Sequence, residues 1–121
     1  MTEHPSSDWP AHLDALSAAP EHHRLLLENE AVRVLETRIE PGETVGLHTH
    51  RWPAVSYILS AGDFVRRDEN GTVLVDTRLT TSRLQAGRAV WSPPLGPHTM
   101  ENVGAVPIHV ISVEVRAAAI G

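Results

Sequence analysis

The chain has no cysteine among its 121 residues. That excludes a disulfide framework and any thiolate metal site, and leaves soft or catalytic chemistry to His, Asp, Glu and a single Tyr. Long apolar runs are missing too, and none approaches the roughly 20 residues that a bilayer-spanning helix needs. Basic residues are the minority, 10 against 15 acidic ones, for a formal net charge of −5. With no basic patch, nucleic acid is not an expected partner. The opening stretch, MTEHPSSDWPAHLDALSAAP, lacks the basic and apolar portions of a secretion leader. A cytoplasmic protein with no membrane partner is the expectation, and the length suits one domain.

What is present divides at about residue 21. Residues 1–21 read as an N-terminal arm. Within it, 8–18 is predicted as a short helix, with Asp8 as cap, Pro10 in the first turn, Trp9, Leu13 and Leu16 on one stripe, and Pro20 as stop. Residues 22–121 read as a β domain. Strands are predicted at 24–28, 31–39, 44–50, 55–59, 63–67, 72–79, 82–85, 88–91, 98–102 and 108–115, separated by EPGE, SAGD, DENG, QAG, SPPLGP and NVGAVP. Asn70-Gly71 between two of them signals a type I′ hairpin turn. Many short strands at even spacing point to a sandwich or small barrel.

Of the eight histidines, His48, His50, His98 and His109 lie in the strand-rich part beyond residue 40. His4, His12, His22 and His23 fall in the arm or at the entry to the first strand, where polar surface is the expected role. Alternate side chains of a strand share a face, so His48-Thr49-His50 aims two imidazoles at one point. A pair alone would suit a solvated face equally well. With His98, three neutral imidazoles from two strands can close on a metal and leave positions open.

Residues 42–62, GETVGLHTHRWPAVSYILSAG, and 87–102, GRAVWSPPLGPHTMEN, resemble the two motifs of the cupins. Gly42, His48, His50 and Gly62 match the first; Gly87, Pro93, His98 and Asn102 match the second. The resemblance implies an all-β fold, the cupin double-stranded β-helix or jelly-roll barrel, here with a short N-terminal helical arm. Two positions depart from the pattern. Leu95 stands where the second motif has Gly, with Gly96 one place later. Val55, or Ala54 by the alternative spacing, stands where the first has its Glu ligand. A site of three His without Glu resembles that of the three-His cupin dioxygenases, and the wording of the chain is most similar to the small β-diketone-cleaving group. It implies one divalent metal on His48, His50 and His98, Fe(II) first, with Zn(II), Ni(II) or Mn(II) as alternatives. The implied partners are a small-molecule β-dicarbonyl anion and dioxygen. A Lewis-acid isomerase or lyase and a non-enzymatic binding module are the alternatives to a dioxygenase.

Around these ligands, Phe64 and Arg66 share a strand face, which offers an inward cation to orient an enolate or carboxylate. Tyr57, two residues past Val55, is a candidate donor to a ligand oxygen at the metal. Met100 and Trp91 are expected inside and Trp52 at the rim. Glu36, Glu101 and Glu114 are candidates to orient a ligand imidazole, and His109 is expected as a satisfied core or interface residue. The last strand is apolar on both faces, which with the arm suggests a homodimer.

Overall fold

The computed structural model describes residues 9–81 and 83–116. Nine strands make up the body: β1 (His23–Glu28), β2 (Val32–Ile39), β3 (Thr44–His50), β4 (Ala54–Ser60), β5 (Phe64–Asp68), β6 (Val73–Asp76), β7 (Ala89–Ser92), β8 (Leu95–Asn102) and β9 (Ile108–Val115). They form two antiparallel sheets, in the orders β1-β2-β9-β4-β7 and β3-β8-β5-β6. This is the double-stranded β-helix that the motifs imply, and Ile39, Val45, Phe64 and Ile108 pack between its sheets with Ala19 of the arm.

Alternation explains which residues point in. On β2, Arg33, Leu35 and Ile39 are buried while Arg38 is exposed. On β4, Ala54 and Ile58 are buried, whereas Val55, Tyr57 and Leu59 are each more than 40% exposed. The motif asparagine has a structural task. Asn102 donates through Nδ2 to the Ile39 and Val106 carbonyls at 2.9 Å each and accepts from the Gly104 amide at 2.9 Å, so this buried amide is satisfied where β8 leaves the sheet.

The arm departs from the expected single helix. A 3-10 turn spans Ala11–Leu13, and Asp14 then restarts the chain as the N-cap of α1 (Ala15–Ala18), accepting from the Leu16 amide at 3.2 Å. An aspartate there favours a cap over a helix interior. The expected cap, Asp8, lies outside the described residues. Strand 72–79 stops early because the Asp76 carboxylate accepts from the Arg78 amide and caps a 3-10 turn at Thr77–Leu79. Residues 83–85 of the expected 82–85 strand are not in a strand. The 68–72 hairpin is not type I′, which requires positive φ at both central residues. Among the described residues only glycines have positive φ, Gly71 at 83° being the one here. The Gly71 amide donates to the Asp68 carbonyl at 3.0 Å, and the Asp68 carboxylate takes the Asn70 and Thr72 amides. The loop is the longer, glycine-bulge kind of hairpin.

Candidate metal centre

His48 and His50 lie on β3, and His48 is in register with His98 on β8. Their rings converge, with centroids 4.3 Å apart for His48 and His98, 5.0 Å for His48 and His50, and 5.6 Å for His50 and His98. A fourth ring joins them. His23, the first residue of β1, lies 5.1 Å from His48 and 5.5 Å from His50. Imidazole nitrogens of His23, His48 and His50 all lie within 4.8 Å of one another. Sequence reasoning placed His23 on polar surface; in the fold it is 5% exposed. The rest of β1 is exposed, so no alternating pattern marked this residue as inward. The only signal was its position at a strand entry.

The ring nitrogens are already sorted into structural and free ones. Nδ1 of His23 bonds the Ala19 carbonyl at 3.0 Å, Nδ1 of His48 the Gly46 carbonyl at 2.7 Å, and Nδ1 of His98 the Gly96 carbonyl at 2.7 Å. A carbonyl only accepts, so each Nδ1 carries the proton and each Nε2 keeps its lone pair. His50 is backed differently, with Nδ1 3.5 Å from Glu114 Oε2. Burial, with the neighbouring imidazoles adding to it, lowers the pKa of His23 to about 4, of His48 to about 2 and of His98 to about 3. All three are neutral near pH 7, the form that ligates a metal. His23, His48 and His50 have the mutual spacing of a metal-holding group, and His98 stands beside them with its ring 4.3 Å from that of His48. Neutral imidazoles, three of them anchored through Nδ1, fit a borderline divalent ion such as Fe, Zn or Ni.

Behind the site runs a buried ion chain. Glu114, 1% exposed, accepts from Arg33 Nε at 2.7 Å. Arg33 forks onto Asp14 at 3.0 and 2.9 Å. Two carboxylates against one guanidinium leave a charge of −1 beside the histidines. Glu114 also stands directly across from Ala54 in the sheet. Ala54, not Val55, is therefore the inward residue at the first motif's Glu position. A carboxylate persists one strand over, moved back behind His50.

A cavity of about 370 Å³ opens beside His50 and Glu114, with Ile58, Phe64, Met100 and Trp52 among its walls. Ser56 and Ser112, paired on β4 and β9, share a 2.8 Å hydrogen bond in its wall. His98 instead lines a smaller hollow of about 210 Å³, and Arg66 borders both spaces. Arg66 carries an unusual burden. Its Nε is buried with no hydrogen-bond partner among the described residues. Its guanidinium lies 5.4 Å from the Phe64 ring centroid, and burial lowers its pKa.

Other expected residues fall elsewhere. Tyr57 is 45% exposed on the outer sheet face, opposite Ile111, so it cannot serve the site: β4 turns Ala54, Ser56 and Ile58 inward and Tyr57 outward. Trp91 borders the cavity but is 59% exposed and pairs with outward Val55, so it is not enclosed within it. Trp52 lies at the rim, with the guanidinium carbons of Arg33, Arg51 and Arg116 at 4.8, 5.4 and 5.1 Å from its ring centroid. His109 is satisfied by Glu36 at 2.7 Å, outside the cluster. Glu101 pairs with Arg67 at 3.0 Å. Glu114 alone of the three glutamates meets an imidazole of the cluster.

No family model matches the chain, and no curated protein matches it. Solved structures do. A cupin domain from Bordetella pertussis Tohama I superposes with a TM-score of 0.64 at 24% identity, over 78% of this chain and 92% of that one. An uncharacterized conserved protein with a double-stranded β-helix domain from Klebsiella pneumoniae gives 0.53 at 22%, over 81% and 78%. An RmlC-like cupin family protein from Methanocaldococcus jannaschii gives 0.53 at 15%, over 77% of each. These likenesses establish the cupin fold, and among the described residues no helix is long and apolar enough to cross a membrane.

Proposed function

We propose that the protein is a mononuclear non-haem metal enzyme. In this reading His48, His50 and His98 hold one Fe(II), and the enzyme cleaves a C–C bond of a small β-dicarbonyl anion with dioxygen. The observation that carries it is the convergence of imidazoles whose Nδ1 atoms are engaged and whose Nε2 atoms are free. Bound Fe(II) would supply the redox chemistry with dioxygen. The chain's own residues do the rest. Arg66 holds the negative end of the substrate, for it borders the cavity and its buried Nε lacks a hydrogen-bond partner among the described residues. Ile58, Phe64 and Met100 exclude water around it, which strengthens that attraction. Glu114, 3.5 Å from Nδ1 of His50, backs that imidazole and would offset part of the metal's charge from behind.

His23 favours a second reading. A fourth imidazole leaves fewer open positions, which suits Zn(II), Ni(II) or Mn(II) acting as a Lewis acid in an enolisation or hydrolysis. One experiment separates the two: load the purified protein with Fe(II), add a simple β-diketone and follow dioxygen. Uptake that requires Fe(II) and disappears in His98→Ala supports the dioxygenase. Full Fe(II) loading with no uptake, and turnover of an enolisable substrate with Zn(II) or Ni(II), moves the function to Lewis-acid chemistry.

A further inference from the structure

The segment 9–23 bears on three of the four histidines, and it does so by three separate devices. It carries His23 itself and the Ala19 carbonyl that anchors it at 3.0 Å. Its Asp14 holds Arg33, which holds Glu114, which backs His50. Its Trp9 packs over Gly96, whose carbonyl anchors His98; a Cβ at Gly96 would lie 3.4 Å from the indole. Asp14 also forms a backbone bridge to Thr49, the residue between His48 and His50. The helical turn that links these points is only four residues long, too short to persist alone. Its order depends on what it docks against.

We propose that metal binding and docking of residues 9–23 are one coupled equilibrium, with His23 the ligand that joins them. The proposal rests on the metal-centre reading above and adds a ligand from outside the two histidine motifs. A metal that binds His23 together with the β3 histidines favours the docked segment, and by reciprocity a docked segment raises affinity for the metal. Were the segment merely a plug over the barrel, the metal would leave it unchanged.

The test uses the full chain, metal-free or loaded with Zn(II), as wild type, His23→Gln, Asp14→Asn and the exposed control His12→Gln. Hydrogen exchange is read at the Ser17, Ala18 and Ala19 amides, which bond Asp14 and Ala15 carbonyls within the turn. Zn(II) should slow their exchange about tenfold or more in wild type and in His12→Gln. In His23→Gln that slowing is lost, and Zn(II) still binds through the remaining histidines with affinity lowered about 10- to 100-fold. Asp14→Asn keeps all four imidazoles, and it too should weaken Zn(II) binding. Equal affinity and equal protection in wild type and His23→Gln overturn the coupling alone. Should His23→Gln fail to fold, unchanged affinity in Asp14→Asn overturns it. A wild-type chain that binds no divalent metal sinks both this and the metal centre.

Discussion

Two opposite electrostatic situations meet at residue scale. His23, His48 and His98 are buried and neutral; Arg66 is half-buried and charged, its Nε out of reach of any partner among the described residues. The depressed pKa values of His23, His48 and His98 mean that the unfolded chain, near 6.5 per histidine, takes up protons the fold refuses. Stability of the metal-free protein is thus full above about pH 6.5. It declines as pH falls, down to about 4 for His23, about 3 for His98 and about 2 for His48, by up to about 1.4 kcal/mol per pH unit for each such histidine. Thermal melts across pH 7.5 to 5 in chelator should show that decline, and His48→Gln should make it shallower; a flat profile in wild type would contradict buried neutral imidazoles. Arg66 sets a trade between stability and binding. An unpaired cation out of water is costly, so Arg66→Met should raise the melting temperature of the ligand-free protein. The same change should raise the KM for a β-diketone anion about tenfold or more. A variant that loses stability while keeping its KM would show that Arg66 is structural.

At the scale of elements, β2, β9 and the arm are tied by the Asp14–Arg33–Glu114 chain. Removing its centre leaves two buried carboxylates facing each other, and Arg33→Ala should cost about 3–5 kcal/mol in urea unfolding. A loss below about 1 kcal/mol would mean that solvent reaches the triad. Most strands were legible in the sequence because short apolar runs ended at Gly- and Pro-bearing turns, and β3 and β9 begin and end where the pattern says. What was not legible follows from the same physics. On β4 the apolar Val55, Tyr57 and Leu59 alternate with Ser56 and Ser60, so the pattern favours turning inward the face that the fold turns out, and the sides taken by Val55 and Tyr57 could not be read. His48, His50 and His98 sit in a two-motif spacing that a sequence displays. His23 reaches the same point only through the pairing of β1 with β2, a long-range fact without a local signature. Nothing in the sequence singled out Asp14, within the predicted 8–18 helix, because its partner, Arg33, is distant in the chain.

For the whole molecule, the outer face of the five-stranded sheet carries a row in which Leu27, Val34, Val113, Val55 and Trp91 stand side by side across β1, β2, β9, β4 and β7. Leu27, Val55 and Trp91 are 51, 41 and 59% exposed. A homodimer would bury this face against a second copy. Sedimentation should therefore give a dimer that Trp91→Glu converts to monomer without loss of bound metal; a wild-type monomer at micromolar concentration would contradict it. This row lies on the opposite side of the sheet from the histidines, so assembly and metal chemistry can be tested apart. The central claim is the metal centre itself, and metal content tests it most directly. The protein is prepared without a metal-binding tag, and Fe, Zn, Ni and Mn are quantified in wild type and in His48→Ala, His50→Ala and His98→Ala. About one divalent ion per wild-type chain is expected, with most of it lost from each folded variant. Full occupancy in all three variants, or none in wild type after incubation with each metal, would contradict the account.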